Sequence, residues 1–376
     1  MITIKSIRKN LINIPGWRTK RKIVVIESDD WGSIRMPSRD IYELLLAKGI
    51  PIEKHYFLRN DCLESEDDLN ALFEVLIGFK DKNGNHPVIT ANSVVANPDF
   101  SKIEKNDFKE YYYETIIETY KSYYNNTNVM DLWLKKGIQK KLLWPQFHGR
   151  EHLNAKKWLR VLRLEKEQEM LAFKNKVLLG ISAPNSNRYN SYMAAFEYET
   201  EEDKDYIESM TLDGLNIFEK LFGFRTSSFV ASQSIQGEHI NPLLKSAGVL
   251  YHQLGQQFIP TDDGGLKVKN RFCGSKNESG QIYWRRNSTF EPAKNQDINW
   301  ADSCLKEIKI AFFWGKPAVI NSHRVNYIGS IFPENRNKSL IQLNELLTQI
   351  LKLWPDVEFL TSDQLGDLIS RRDETK

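Results

Sequence analysis

Short apolar runs rich in β-branched residues recur along the chain, and each predicts a buried strand. The first is Ile23-Val24-Val25-Ile26, which is too short for a stable helix but has the length and branching of a strand core. Similar runs predict strands at residues 87–93, 142–148, 227–232, 249–253, 318–322 and 357–360. A Gly-rich region before the sixth strand predicts a hairpin with arms at 266–272 and 281–287.

Segments with helical periodicity lie between these strands. They predict helices at residues 39–48, 65–78, 153–176, 199–221, 242–247, 300–313, 338–353 and after Ser362. Ser65 and Asp68, three residues apart, form a capping-box pattern at the start of the second helix. Strand and helix alternate along the chain, which is typical of a parallel sheet or an incomplete barrel with helices outside.

The alternation therefore predicts the α/β fold class and one domain over residues 1–376. A single α/β barrel typically uses about 250 residues or more, so this length does not require a second core. A tyrosine-rich helical segment at 101–141 and a segment at 177–222 are predicted as insertions. The second insertion contains residues 182–192, whose composition is that of a loop.

The composition is ordinary for a globular protein, with 27% charged and 41% hydrophobic residues. A net charge of +3 is too small to indicate nucleic-acid binding. Three cysteines without CxxC spacing indicate neither a disulfide framework nor a cysteine-only zinc site. Because the sequence contains no signal-peptide core and no long apolar run, we expect a cytoplasmic protein without membrane contact, unless a leader has been removed.

The first predicted strand ends in acidic residues instead of a neutral turn. Glu27, Asp29 and Asp30 stand at its carboxyl end, the edge at which α/β sheets place their chemistry. Because neighbouring carboxylates repel each other, an ordered pair needs a cation, an arginine or a shared proton beside it. A solvated acidic turn is the alternative interpretation of the two aspartates considered alone.

Histidines follow two other predicted strands. His148 and His152 stand four residues apart after the third strand, a spacing that brings both imidazoles to one face of a helical turn. Considered alone, the two histidines could equally be structural or exposed residues or metal ligands. Asp30 would complete a two-His-one-carboxylate set, which suits a catalytic zinc with an open position for water. His323, at the end of the sixth strand, is a candidate for proton exchange near neutral pH.

In this order the motifs resemble those of the polysaccharide deacetylase family, the NodB-type carbohydrate esterases. The Thr-Phe-Asp-Asp-Gly motif of that family is similar to the stretch from Glu27 to Gly32 with one inserted residue, and its His-Ser/Thr-x-x-His motif is similar to residues 148–152. The Arg-x-Pro-Tyr motif is met only by Arg225, and the Leu-x-His motif loosely by His323. The resemblance implies an irregular (β/α) barrel of about seven parallel strands with helical insertions.

The resemblance also implies a role for each matching residue. Asp29 would be the catalytic base, Arg225 would orient that base, and His323 would be the general acid. The implied metal ligands are Asp30, His148 and His152. The implied cofactor is a divalent metal, with Zn²⁺ as the first choice and Co²⁺ or Ni²⁺ as alternatives.

Four further residues near strand ends are candidates for substrate binding: Asn92, Trp31, Arg150 and Asn321. The alternative is that the polar residues hold loops and that Trp31 belongs to the core.

The sequence thus predicts a metal-dependent hydrolase that removes an acetyl group from an amino sugar or a polysaccharide. A C–N hydrolase acting on a non-sugar amide, and a non-catalytic carbohydrate-binding barrel, stay open as alternatives. The expected partner is a carbohydrate or another acylated small molecule, without nucleic acid or membrane. The sequence does not indicate an oligomeric state.

Overall fold

A computed structural model of the protein describes residues 4–124, 128–180, 191–261 and 264–373. Most of the loop predicted at 182–192 lies outside these ranges. Strands and helices alternate within them, as the sequence predicts.

The strands are short, and many of them have only two or three residues. In chain order they are β1 Ile23–Trp31, β2 Ile89–Val94, β3 Ala96–Pro98, β4 Tyr113–Thr115, β5 Leu143–Gly149, β6 Ser228–Phe229, β7 Tyr251–His252, β8 Gln256–Pro260, β9 Leu266–Asn270, β10 Ser275–Lys276, β11 Ile282–Tyr283, β12 Ser288–Thr289, β13 Ala318–His323 and β14 Glu358–Phe359.

Ten of these strands form one curled sheet, a half-barrel with helices outside. The order is β10-β11-β7-β6-β5-β2-β1-β13-β12, and β14 pairs with the beginning of β1. Every pairing in this sheet is parallel except that of β10 with β11. The predicted α/β barrel architecture is therefore confirmed. The main sheet contains more parallel strands than the expected number of about seven, because β11, predicted as a hairpin arm, and β12 also pair in parallel within it.

The helices cover the outside of the sheet and the insertions. In chain order they are α1 Ile4–Asn13, α2 Arg39–Ala47, α3 Tyr56–Asn60, α4 Glu66–Ile77, α5 Phe100–Lys105, α6 Ile116–Tyr124, α7 Asn128–Leu132, α8 Ala155–Leu162, α9 Glu167–Lys174, α10 Glu201–Phe222, α11 Asn241–Ser246, α12 Trp300–Phe313, α13 Pro333–Leu353 and α14 Ser362–Asp373. The capping box predicted at the start of α4 is present, since Ser65 and Asp68 exchange both hydrogen bonds.

The long helix predicted over 153–176 is wrong, because the chain forms α8 and α9 with a turn between them. Glu165 adopts a left-handed backbone in that turn, with φ 49°. The turn lets Trp158 and Phe173 pack in one cluster with ring centroids 5.7 Å apart. In one straight helix these residues would be about 22 Å apart along the axis, so the break is needed to bury both.

The predicted hairpin pairing is also wrong. β9 pairs antiparallel with β8, which precedes it, and forms a separate two-stranded sheet. β11, predicted as the second arm, instead joins the main sheet parallel to β7. This exchange matters for the site, because it brings the residues that follow β11 to the carboxyl edge of the main sheet.

β1 is an inner strand of the main sheet, between β2 and β13, and is buried along its whole length. Val24 and Ile26 belong to the largest apolar cluster, whereas Ile23 and Val25 belong to a second cluster on the opposite face. A strand covered on both faces is apolar at consecutive positions, which explains the unbroken run in the sequence. None of the helices in the described ranges is long and apolar enough to cross a bilayer.

Trp31 anchors the core at the carboxyl end of β1. Its side chain is 1% exposed and donates a hydrogen bond from Nε1 to Ser28 Oγ at 2.9 Å. The indole packs edge-on against Trp133 and stacks on Tyr327, with ring centroids 5.7 and 6.2 Å away. Trp31 is therefore a core residue, and its predicted role in substrate binding is wrong.

Replacing Trp31 by Ala is expected to lower the free energy of unfolding by about 3–5 kcal/mol, because a large buried side chain is lost and a cavity remains. Urea unfolding followed by circular dichroism measures this change. Phe313→Ala is the control, since that ring is 76% exposed and its loss should change stability by less than about 0.5 kcal/mol. Equal stability losses in the two variants would contradict the assignment of Trp31 to the core.

Candidate metal centre

A bulge in β1 turns two consecutive aspartates toward one cavity. Ser28 pairs with Ala91 and Trp31 pairs with Ser93, so β1 contains one more residue than β2 over this stretch. Asp30 takes up the extra length with a left-handed backbone at φ 76°. In a regular strand Asp29 and Asp30 would face opposite sides of the sheet, whereas here both side chains line the same cavity.

A second bulge presents the first histidine. Phe147 pairs with Ser93 and Gly149 pairs with Val94, which leaves His148 as the extra residue of β5. Gly149 has φ 127°, and a Cβ atom there would lie 3.1 Å from the Glu151 carbonyl oxygen. His152 follows in an irregular bend, so the two imidazoles meet without the helical turn that their spacing suggested.

Asp30, His148 and His152 are buried, and each offers a ligand atom within 4.8 Å of the other two. Asp30 Oδ1 is 3.5 Å from His148 Nε2 and 3.2 Å from His152 Nε2. Ligand atoms at zinc-bond lengths of about 2.0–2.1 Å in a tetrahedral site are about 3.3–3.4 Å apart, which matches both distances. The structure therefore brings the three predicted ligands together with suitable spacing.

Hydrogen bonding orients one of these imidazoles for a cation. Nδ1 of His148 is 2.7 Å from the Val230 carbonyl oxygen, to which only a protonated nitrogen can donate. The neutral ring then has its lone pair on Nε2, and this buried atom has no hydrogen-bond partner among the described residues. Burial also lowers the pKa of His152 and so favours its neutral, ligating form. Two lone pairs and a carboxylate around one point fit a divalent metal.

Arg286 holds the predicted base, Asp29. Its Nη1 and Nη2 donate to the two carboxylate oxygens of Asp29 at 2.6 and 2.7 Å, and Asn92 donates to Oδ1 at 2.7 Å. Burial alone would raise the pKa of Asp29, but the charge and hydrogen bonds of Arg286 outweigh it and keep that pKa well below its usual range. Asp29 is therefore ionised and fixed in orientation.

The predicted orienting residue, Arg225, does not reach the site. Its guanidinium is 65% exposed and pairs with Glu219 at 3.0 Å, so this prediction is wrong. Instead, Arg286, which follows β11, orients Asp29. The rule that placed polar residues at strand ends would have found Arg286 if β11 had been predicted as a strand of the main sheet.

Arg286 also neutralises a deeper carboxylate. Its Nε donates to Glu27 Oε2 at 2.7 Å, while Trp284 Nε1 and Ser362 Oγ donate to Glu27 Oε1. Glu27 and Asp29 are two residues apart on β1 and face the same side, so one guanidinium serves both. The network is fully buried at Glu27 and opens toward solvent at Asp29.

His323 also lies near Asp29, with its Nε2 4.0 Å from Asp29 Oδ2. Its Nδ1 is 2.6 Å from Glu291 Oε1, a carboxylate that the sequence interpretation missed because it follows the two-residue strand β12. Burial alone would lower the pKa of His323, but the charge and hydrogen bond of Glu291 raise it to about 9. The imidazole therefore carries a proton at neutral pH.

The remaining predicted residues divide between the site and the scaffold. Asn321 lines the site and accepts a hydrogen bond from Arg286 at 2.8 Å. Asn92 is fully buried and contacts Asp29 instead of a cavity. Arg150 is buried in ion pairs with Glu151 and Asp213 and lines neither cavity, so its predicted substrate contact is wrong.

Two cavities meet at Asp29 and His323. The larger is an open groove of about 600 Å³, whose lining includes Arg285, Arg286, Gln253 and Asn321. The smaller, of about 200 Å³, contains the three metal-ligand candidates together with Arg35, Phe57 and Leu58. A substrate that spans both cavities would pass between the predicted base and the predicted acid.

Comparisons with known structures found proteins of similar overall fold. A candidate polysaccharide deacetylase from Mycobacterium smegmatis is 12% identical over 96% of this chain and 94% of its own, with a TM-score of 0.42. An allantoinase is 10% identical over 94% and 93% of the two chains, with a TM-score of 0.44. A candidate glycoside hydrolase/deacetylase from Parabacteroides distasonis is 10% identical over 94% and 72%, with a TM-score of 0.47. No protein-family model and no curated protein sequence matches the chain.

Replacing either His148 or His152 by Ala is expected to weaken metal binding at least about a hundredfold, since even an outer partner of a ligand contributes about 10–100-fold. Elemental analysis of the purified variants, and titration with Zn²⁺ after chelation, measure this loss. His239→Ala is the matched control, because that residue lies outside both cavities. Full metal content in both site variants would contradict the ligand assignment.

Replacing Arg286 by Met is expected to lower the free energy of unfolding by about 3–5 kcal/mol, because Asp29 and Glu27 would stay buried without their cation. Arg225→Met removes only a surface ion pair and should cost less than about 1 kcal/mol. Urea unfolding of both variants makes the comparison. A larger loss of stability in Arg225→Met than in Arg286→Met would contradict the assignment of Arg286 as the cation that compensates Asp29 and Glu27.

Proposed function

We propose that the protein is a metal-dependent hydrolase that removes an acetyl group from an amino sugar or a polysaccharide. The observation that carries the proposal is the meeting of three metal-ligand candidates with an oriented carboxylate and a protonated imidazole at the junction of two cavities. These are the parts that hydrolysis of an acyl bond by an activated water requires.

Asp30, His148 and His152 would hold the metal, with Zn²⁺ as the first choice and Co²⁺ or Ni²⁺ as alternatives. When bound, a divalent ion supplies Lewis acidity toward the acyl oxygen and lowers the pKa of a bound water toward neutrality. His148 keeps its ligating nitrogen available because its other nitrogen is tied to the Val230 carbonyl.

Asp29 would accept the proton of the attacking water. Its pKa is low, so the carboxylate is present as a base, and Arg286 and Asn92 hold it in one orientation. Asp29 stands next to the ligand Asp30 without being part of the ligand set. Its Oδ1 accepts from both Arg286 and Asn92, whereas among the described residues Oδ2 accepts from Arg286 alone and keeps a lone pair for a proton.

His323 would donate a proton to the leaving amine or alcohol. Nδ1 is held by Glu291, so Nε2 is the nitrogen that points toward Asp29 and the cavities. A raised pKa keeps this nitrogen protonated before the reaction. The base and the acid are thus two different groups, each kept in its working protonation state by its own buried partner.

The two cavities would bind different parts of the substrate. The leaving group would lie in the large groove, whose polar lining suits a sugar or sugar chain, and the acyl group in the smaller cavity beside the metal ligands. A non-sugar amide would use the same residues, and this C–N hydrolase is the alternative activity. Arg286 orients Asp29, and Glu291 orients His323. These contacts argue against a carbohydrate-binding barrel that has lost turnover, because binding alone needs neither of these two proton carriers.

The test is release of acetate from a panel of N-acetylated and O-acetylated sugars, oligosaccharides and simple amides by metal-loaded protein. Activity that disappears with a chelator and returns with Zn²⁺ would support the enzyme, and the panel would separate sugars from other amides. Stoichiometric metal without turnover on any member would favour the non-catalytic alternative.

Replacing Glu291 by Gln is expected to move the alkaline limb of the kcat/KM profile to lower pH. Glu291 raises the pKa of His323 to about 9, so the proton donor is lost as pH rises through that value. Without the negative charge the pKa falls, and the loss occurs earlier. Measurement of kcat/KM against pH for both proteins tests this shift.

His323→Ala is the comparison for that experiment. This variant should keep its metal, lose about a hundredfold or more in turnover, and lack the alkaline limb altogether. Full activity in His323→Ala, or an unshifted limb in Glu291→Gln, would show that another group donates the proton.

A further inference from the structure

A buried arginine in the smaller cavity has no oxygen acceptor among the residues that the structure describes. Arg35 follows β1 by four residues and is 7% exposed. Among the described residues its one hydrogen bond goes from Nη1 to the sulfur of Met193 at 3.3 Å, and sulfur is a weak acceptor. Its buried Nε has no partner. Buried polar groups normally have hydrogen-bond partners, so the lack of an oxygen acceptor at this guanidinium needs an explanation.

The nearest carboxylates do not supply that reason. Asp61 Oδ2 is 3.8 Å from Nε of Arg35 and Asp30 Oδ2 is 3.9 Å from its Nη2, and neither distance is a hydrogen bond. Asp61 is already engaged, since both of its oxygens accept from Arg324 at 3.1 and 3.0 Å. Asp30 faces the two imidazoles. Arg35 is thus attracted by both acids but is the dedicated partner of neither.

The position of Arg35 connects it to the acyl side of the site. It lines the smaller cavity together with Asp30, His148 and His152. Its guanidinium carbon lies 5.7 Å from the ring centroid of Phe57, a cation–π contact. Arg35 therefore lines the same cavity as the metal-ligand candidates.

The charge of this cavity favours an anion. The ligand set contains one carboxylate and two imidazoles, which leaves a bound divalent ion with a net positive charge. Arg35 adds a second positive charge on the same cavity, whereas the charge of Asp29 is compensated by Arg286. Guanidinium groups match carboxylates particularly well, because their N–H groups form a planar fork.

We propose that Arg35 is the carboxylate-binding residue of the acyl cavity and holds the carboxylate that acyl hydrolysis releases. The inference rests on the proposed function for the origin of that anion. In the reaction, the oxygen of water bonds to the acyl carbon and its proton passes to Asp29. The acyl C–N or C–O bond breaks, and the leaving atom takes a proton from His323. The carboxylic acid formed in this step gives its remaining proton to the now neutral His323, and Asp29 releases its proton to solvent. The acyl group then departs as a carboxylate, which Arg35 would bind.

The experiment is titration of the purified protein with ¹³C-labelled acetate, followed by NMR, in both metal-loaded and chelator-treated form. Arg35→Met should weaken acetate binding at least about tenfold, the factor expected for loss of one charge-assisted hydrogen bond. Arg39→Met is the matched control, because Arg39 is 60% exposed and pairs with Glu43. Its acetate affinity should equal that of the unchanged protein. Equal affinity in Arg35→Met would overturn the proposal.

A second measurement does not depend on whether Arg35→Met folds. In the unchanged protein, the ¹⁵N signal of the Arg35 Nε–H group should shift as acetate is added, and its assignment comes from its absence in Arg35→Lys. A signal that stays in place at saturating acetate would also overturn the proposal.

These readouts separate the inference from the proposed function. Acetate binding that depends on Arg35 in a protein without turnover would support the anion site and refute the hydrolase. Hydrolysis accompanied by unchanged acetate binding in Arg35→Met would refute the anion site and leave the hydrolase in place.

Discussion

The site depends on how three carboxylates at the end of one buried strand obtain their cations. Glu27, Asp29 and Asp30 are all buried, and an uncompensated buried carboxylate is too costly to remain ionised. Arg286 serves the first two, and the imidazoles of His148 and His152 approach the third. These three residues could hold a metal ion, whose charge would balance that of the third carboxylate.

Buried carboxylates outside the site are also paired with a cation. Arg324 is fully buried and pairs with both Asp61 and Glu64, while its Nη1 also donates to the Ser33 carbonyl. This ion cluster adjoins Arg35, whose Nε lies 3.8 Å from Asp61 Oδ2. Removing one partner of such a cluster would leave a buried charge, at a cost of about 3–5 kcal/mol. Within the described ranges, Arg35 has N–H groups without an oxygen acceptor, and it lines the smaller cavity.

Two backbone irregularities convert this buried strand edge into a site. The bulge at Asp30 places consecutive aspartates on one side of the sheet, and the bulge at His148 aims an imidazole at the second of them. Each uses a positive φ, at Asp30 and at Gly149, which costs conformational energy in the first case and is easily adopted in the second. A regular ladder with the same residues would separate Asp29 from Asp30 and lose the shared cavity.

The sequence by itself determined the elements whose signal is local. Apolar β-branched runs located β1, β2, β5 and β13, the Ser65–Asp68 pattern located a helix start, and polar residues at strand ends located Asp29, Asp30, His148 and His323. Only the tertiary structure decided the partners, Arg286 and Glu291, and placed Arg225 and Trp31 outside the chemistry. The physical reason is that Arg286 and Glu291 follow β11 and β12, whose parallel pairing with β7 and β13 is made with residues distant in the sequence. Such strands exist because distant strands pair with them, and so their place in the sheet is a property of the assembled fold.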